Sequence, residues 1–358
     1  MTKGGEFGRH IPALTGLRFV LAIWVIVHHL TDKRMMLNDW ASSTPPAARA
    51  LLHGGYLAVE TFFVLSGFVL TLTYGSTAWD QKKLIRYAAG RFARLYPNYL
   101  LGLLIVSPFI ADYLLAGPAL SEKAAQLTIY GLALQGWTTP AVYWNTPAWS
   151  LSCELFFYLC FPLVALSLRN RSPIKTLTVL AGAISLPMLL ARMGAPATWK
   201  PVHHLADFLL GIAAAGVYEA LAKSNIRPAR NGWWFYGPAA ALGLIVVSYG
   251  DLVSRSMDLN TALRPLNGAL IVGLALGGGL PATLLSTPVA TYLGRASYSM
   301  YILHIPMLWW YKRFWWYSRL TQTLAAVVYL LAVVLLSAVV LRLVEEPANR
   351  RLRSILAG

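Results

Sequence analysis

Charge is scarce in this sequence. Of 358 residues only 12% are charged, with 14 acidic residues against 30 lysines and arginines. A soluble globular domain carries about 25% charged residues, so the shortfall excludes that class. No polar stretch is long enough to hold a separate soluble domain, and neither an internal repeat nor a low-complexity segment is present. Cysteine is nearly missing. Cys153 and Cys160 lie seven residues apart on one apolar segment. They share a helix face but are ~10 Å apart along the axis, too far for a disulfide. No small-x-small cleavage site follows the first apolar run, so the basic N-terminus with Lys3 and Arg9 reads as the start of a retained helix, not as a signal peptide. A G-x-S-x-G elbow, a P-loop and a recognised metal-ligand spacing are also missing, so no metal is expected.

What is abundant is apolar sequence: 57% of residues are hydrophobic, and mean hydropathy is +0.55. Apolar segments fall at 12–31, 55–75, 92–116, 147–168, 174–192, 205–222, 233–250, 264–282, 296–312 and 321–344. Each is near the ~20 residues that cross a bilayer. A further run, 124–136, is too short and reads as a re-entrant or interfacial helix. The expected fold is an all-α polytopic membrane bundle of about ten transmembrane helices plus that short helix, with 1–358 as a single transmembrane domain.

The net charge of +16 is explained by topology and by anionic head groups, so no nucleic-acid partner is expected. With the N-terminus inside, the inner loops carry Lys82, Lys83, Arg86, Arg91 and Arg94, then Arg169, Arg171 and Lys175, then Lys223, Arg227 and Arg230, then Arg295 and the tail Arg350, Arg351 and Arg353. The outer loops are poorer in cations, although one holds Lys312, Arg313 and Arg319 among aromatics suited to an interfacial belt. This bias puts both termini in the cytoplasm.

Ionisable residues inside spans are costly and by default mark function. Arg18 and His29 are eleven residues apart on the first span. At 100° per residue that is within about 20° of three full turns, so they share one wall ~16 Å apart, while His28 points about 100° away. Glu60 and Glu154 fall in the outer halves of the second and fourth spans, at the depth of His29. Ser66 is at mid-helix. Arg91 and Arg94 sit at the cytoplasmic mouth of the third span, and His304 near the middle of the ninth. Each has a plainer reading: Arg18 snorkels to head groups, Glu60 favours a helix start, Arg91 and Arg94 set topology, and His304 hydrogen-bonds across helices. Together they predict an inner cationic pocket and an outer histidine–carboxylate cluster. Arginine pairs with phosphate bidentately, and a histidine oriented by a carboxylate suits general-base chemistry on a hydroxyl. A carrier with phosphates at one end and a reactive group at the other, such as acyl coenzyme A, fits between them.

At these residues the chain resembles the membrane acyltransferase-3 family. Arg18, ten intervening residues and His29 resemble its R-x10-H motif. "VETFFVLSGFVL" resembles its second-helix block, with Glu60 where aspartate is common. "RFARLYP" resembles the R-x-x-R-L-Y-P block, "PAWSLSCELFFYL" the W-S-L-x-x-E block, and "LGRASYSMYILHIP" and "VEEPANRRLR" the closing blocks. The likeness covers nearly the whole chain in order, and the SGNH extension of some members is not expected. It implies a ten-helix enzyme that moves an acyl group, usually acetyl, from cytoplasmic acyl-CoA to a hydroxyl. Extracytoplasmic acceptors include glycans and glycolipids; some members act on small hydrophobic molecules such as macrolides. His29 is the expected catalytic residue, as base or as acyl relay, with Arg18 its partner, supported by Glu154 and Glu60; the resemblance also implies a bacterial inner membrane. Arg18, Arg91, Arg94 and Ser66 are expected to hold acyl-CoA, and Trp149, Ser150 and His304 the acceptor. A proton-coupled transporter of an anionic solute is the competing class. It predicts matched helix interruptions in the two halves, and none is visible.

Overall fold

The computed structural model describes residues 11–32, 35–117, 119–139, 144–167, 172–224, 232–255, 257–315 and 321–357. Of the loop and terminal cations considered above, Lys3, Arg9, Arg169, Arg171, Arg227, Arg230 and Arg319 lie outside those residues. All regular structure among the described residues is helical. In order the helices are α1 (Pro12–Thr31), α2 (Asn38–Ser43), α3 (Pro46–His53), α4 (Tyr56–Tyr74), α5 (Gln81–Leu115), α6 (Leu120–Gly131), α7 (Trp149–Ser167) and α8 (Pro173–Arg192). They continue with α9 (Lys200–His203), α10 (Leu205–Lys223), α11 (Trp233–Arg255), α12 (Met257–Leu276), α13 (Gly279–Leu285), α14 (Pro288–Trp315), α15 (Gln322–Val340) and α16 (Glu346–Ala357).

Among the described residues seven helices are long and apolar enough to cross a membrane, or eight if one bent pair counts as a span. The chain is an all-α polytopic membrane bundle. The segments expected to span are helical over most of their described residues, but several have different limits. α5 begins at Gln81, not near 92, because Asp80 caps it: its carboxylate accepts from the Lys83 backbone N–H at 2.8 Å. That bond also holds the Asp80 carboxyl below its ordinary range. Lys82, Lys83 and Arg86 therefore ride on an exposed helical turn and not in a loop. The eighth expected span is broken. Leu263–Leu276 and Gly279–Leu285 meet at 79°, and the break falls at Gly277, Gly278 and Gly279, whose φ values of 78°, 105° and 73° suit glycine alone. The last span runs on through a π-helical turn, Leu341–Glu345, into α16.

The short segment expected at 124–136 is a helix only over Leu120–Gly131, after which the chain turns. Ala133 adopts a left-handed φ of 54°. The turn is pinned to α7, since Ser152 Oγ donates to the Ala133 carbonyl and accepts from the Gly136 N–H.

Two glycine contacts set the helix crossings that matter for the site. A Cβ on Gly67 of α4 would lie 2.1 Å from the Phe208 carbonyl oxygen, and one on Gly211 of α10 would lie 1.9 Å from that of Val64. α4 and α10 thus touch backbone to backbone, the small-residue packing used inside membranes. A Cβ on Gly294 of α14 would lie 1.8 Å from the Thr15 carbonyl oxygen of α1. That approach brings Arg18 and Ser297, one turn further along each helix, within reach of one another.

Candidate active site

α1, α4, α5, α7 and α14 enclose a chamber of about 80 Å3, room for several waters or a polar group of a few atoms. Its cationic wall is made by Arg18 of α1 with Arg91 and Arg94 of α5. Arg18 Nε donates to Ser297 Oγ at 3.2 Å. The Arg91 guanidinium lies 5.8 Å from the Tyr74 ring and 5.6 Å from the Tyr158 ring, and its buried Nε has no hydrogen-bond partner. An orphaned guanidinium nitrogen beside two further arginines fits an anion, and arginine's fork geometry suits phosphate. Ser66 of α4 lines the same chamber.

Glu154 is placed differently from the expectation that it would join His29. Ser150, Glu154 and Tyr158 recur every four residues on α7, so they form one stripe, and all three line the arginine chamber. The Tyr158 hydroxyl donates to Glu154 Oε1 at 2.5 Å. Depth counted along a helix had matched Glu154 to His29, but Glu154 lines the chamber with Arg18, about three turns from His29 along the same wall of α1. Glu60 is buried on α4, 3% exposed, and is not among the residues that line the chamber.

His29 meets a histidine, not the expected carboxylate. Its Nδ1 lies 2.9 Å from the Val25 carbonyl oxygen and 3.4 Å from Nε2 of His304. His304 is 1% exposed, and its own Nδ1 lies 2.7 Å from the Tyr301 carbonyl oxygen. A carbonyl oxygen only accepts, so Nδ1 carries the hydrogen in both rings. His304 Nε2 is then a bare lone pair facing the His29 Nδ1–H, and in the neutral ring His29 Nε2 is a bare nitrogen. The arrangement fixes the tautomer with the basic nitrogen turned away from the backbone. His28, as expected, takes another direction, edge-on to Tyr56 at 6.2 Å. The histidine pair connects to the chamber through Tyr301, which lines it and whose ring lies 6.1 Å from both Phe62 and His304.

Of the residues expected to hold the acceptor, Ser150 lines the chamber and donates to the Pro147 carbonyl at 3.0 Å. Trp149 packs beside it, 6.2 Å from Phe63. Reading the sequence assigned no role to Glu345, whose Oε2 accepts from Asn98 Nδ2 at 2.7 Å and Ser299 Oγ at 2.8 Å. This carboxylate ties α5 and α14 to the π-helical turn behind the arginines. A signal was present: Glu345 is an acidic residue directly after the most apolar run of the chain.

The fold and site define a class: a helical membrane protein that gathers three arginines in a chamber between helices and carries a tautomer-fixed histidine further along α1. The sequence comparisons narrow it. The profile of the acyltransferase-3 family, described as an acyltransferase domain, matches residues 11–342, and the chain belongs to that family. It is a membrane acyltransferase. Among curated proteins it is similar to acyltransferase MdmB of Streptomyces mycarofaciens, 29% identical over 330 residues, covering 83% of this chain and 79% of that one. It is also similar to O-acetyltransferase OatA of Staphylococcus aureus, 27% identical over 327 residues, covering 84% of this chain and 51% of OatA. The chain thus spans about half the length of OatA. No solved structure matches it significantly.

Proposed function

We propose that this protein is an O-acyltransferase of the bacterial inner membrane that moves an acetyl group from cytoplasmic acetyl-CoA to a hydroxyl of an extracytoplasmic glycan or glycolipid. The observation that carries the reading is the shared wall of α1. Arg18 stands in a three-arginine chamber, and His29 presents a bare Nε2 about three turns, ~16 Å, further along. In this reading both termini and the chamber mouth face the cytoplasm, and the chamber takes phosphates of the donor. The thioester reaches toward His29.

His29 Nε2 takes the proton of the acceptor hydroxyl as its oxygen attacks the thioester carbonyl. The C–S bond then breaks, the ester C–O bond remains, and the imidazolium returns the proton to the departing CoA thiolate. His304 stabilises the transient imidazolium by accepting from Nδ1–H. The test is acetyl transfer by the purified full-length protein from labelled acetyl-CoA, with mass spectrometry of surface glycans from cells with and without the gene. His29→Ala is expected to abolish transfer while the protein stays folded, and His28→Ala to reduce it far less. Full activity of His29→Ala refutes the reading, as does solute uptake without covalent change.

A further inference from the structure

A histidine–carboxylate dyad stands behind Phe63, a residue of the chamber wall. Asp207 of α10 is wholly buried; Oδ2 pairs with a histidine, and Oδ1 makes an ion pair without hydrogen-bond geometry. Oδ2 lies 3.0 Å from His204 Nδ1 and Oδ1 lies 2.9 Å from Arg264 Nε. Arg264 comes from α12, so the aspartate is fixed from two helices and its charge is already balanced by the guanidinium. A carboxylate accepts, so the His204 hydrogen sits on Nδ1, and Nε2 of the neutral ring is left with a lone pair. His204 occupies the junction between α9 and α10, and its side chain is 19% exposed.

What surrounds the ring is aromatic. His204 lies 5.2 Å from Trp149, tilted by 33°, and 5.3 Å from Phe63. Lys200 Nζ stands 4.7 Å from the centre of the Trp149 ring. Phe63 lines the arginine chamber, as does its neighbour Phe62, which leads by way of Tyr301 to the His29–His304 pair. Adjacent residues of α4 thus lead from the chamber to two histidines, Phe63 directly to His204 and Phe62 through Tyr301 to His304. A carboxylate-oriented histidine beside a part-exposed tryptophan and a lysine combines an apolar stacking wall with a few directed polar groups, the make-up of a small-ligand site. The lone pair of Nε2 receives a hydroxyl hydrogen, the aromatic rings take the C–H face of a sugar ring, and Lys200 donates to a further oxygen. The arginines supply phosphate chemistry, and this group supplies hydroxyl chemistry.

We infer that His204, held by Asp207 and Arg264 and walled by Trp149, is the acceptor-binding station, and that its ligand is a polyhydroxylated ring such as a sugar. The inference rests on the acyltransferase reading above and names the residues that hold its acceptor. It assigns His204 no part in breaking or making a bond.

The experiment uses the full-length protein in detergent with cellotetraose as the probe and acetyl-CoA as the donor. Saturation transfer from protein to cellotetraose by NMR, without donor, reads the station alone. Release of CoA, with and without cellotetraose, reads the chemistry. Wild type is expected to show saturation transfer. His204→Ala and Trp149→Ala are expected to lose most of it, and His204→Ala to raise the cellotetraose concentration for half-maximal acetylation tenfold or more. Its affinity for acetyl-CoA should stay within twofold of wild type. If His204→Ala fails to fold, His204→Gln, which keeps a polar group in place, is read instead and is expected to lie between the two. The inference is overturned if wild type shows no saturation transfer, if the variant binds cellotetraose as wild type does, or if it loses acetyl-CoA in the same proportion. Saturation transfer that depends on His204, in a wild type that releases no CoA from acetyl-CoA, would fail the acyltransferase reading and leave the binding station standing.

Discussion

Replacing His304 by alanine removes the ring that meets His29 across the α1–α14 interface. In the resting protein that contact is the longer of two: the His29 Nδ1 hydrogen lies between Val25 O at 2.9 Å and His304 Nε2 at 3.4 Å. Its value rises when His29 takes up the acceptor's proton, because Nδ1–H then becomes a charged donor, and such bonds contribute about 1.5–3 kcal/mol. Val25 O remains in the variant, so the loss is a share of that range, about 1.4 kcal/mol, or roughly tenfold in kcat. KM for acetyl-CoA should not move, because the arginines lie about three turns away. The cavity left at a site only 1% exposed costs about 2–4 kcal/mol of stability. His304→Gln refills part of it and can still accept, so its kcat is expected within about threefold of wild type. Initial rates of acetyl transfer across a donor series, beside thermal unfolding of each variant, provide the measurement. An unchanged kcat in folded His304→Ala refutes the positioning role. A loss as large as that of a general base, about 10²–10⁴-fold, would make His304 the base itself.

Arg91→Ala is expected to raise KM for acetyl-CoA by about tenfold or more with little change in kcat, because it removes charge-assisted binding present throughout the reaction; a kcat effect without a KM effect contradicts the donor chamber. Glu345→Ala leaves Ser299 Oγ buried without its acceptor and Asn98 Nδ2 with Ser299 Oγ alone. It should cost about 1–3 kcal/mol in denaturant unfolding, with Glu345→Gln costing less; equal stability of both with wild type removes the carboxylate from the scaffold. In Gly211→Ala the new Cβ must retreat about 1.5 Å from Val64 O to reach ordinary contact. Thermal unfolding and size-exclusion profiles should show clear destabilisation, and an unchanged unfolding temperature is inconsistent with so close an α4–α10 crossing.

What the sequence made legible follows from what periodicity encodes. Spacing along one helix placed Arg18, His29 and His28 on their faces, because the angle per residue is constant. Clustered cations near helix ends pointed to the gathering of Arg18, Arg91 and Arg94. Glu154 was misplaced because a residue count from a helix end does not fix depth relative to a neighbouring helix; the stripe with Ser150 and Tyr158 was there to be read. The early start of α5 hid in an aspartate cap before a basic run. The break after α12 was written in three successive glycines and masked by the apolar residues on either side. Asp207 and Arg264 pair between residues 57 positions apart, which no local pattern announces.

The length of α5 bears on how fast the donor arrives. Thirty-five residues make a rod of ~52 Å, well beyond the ~30 Å of a hydrocarbon core. Its first turns carry exposed Lys82, Lys83 and Arg86, on the same helix as Arg91 and Arg94 in the chamber wall. If the donor is the anionic coenzyme proposed above, a graded line of positive potential of this kind draws it along the helix before it docks, raising its encounter rate at low ionic strength. Added salt should therefore slow capture of acetyl-CoA while leaving the turnover of bound donor unchanged.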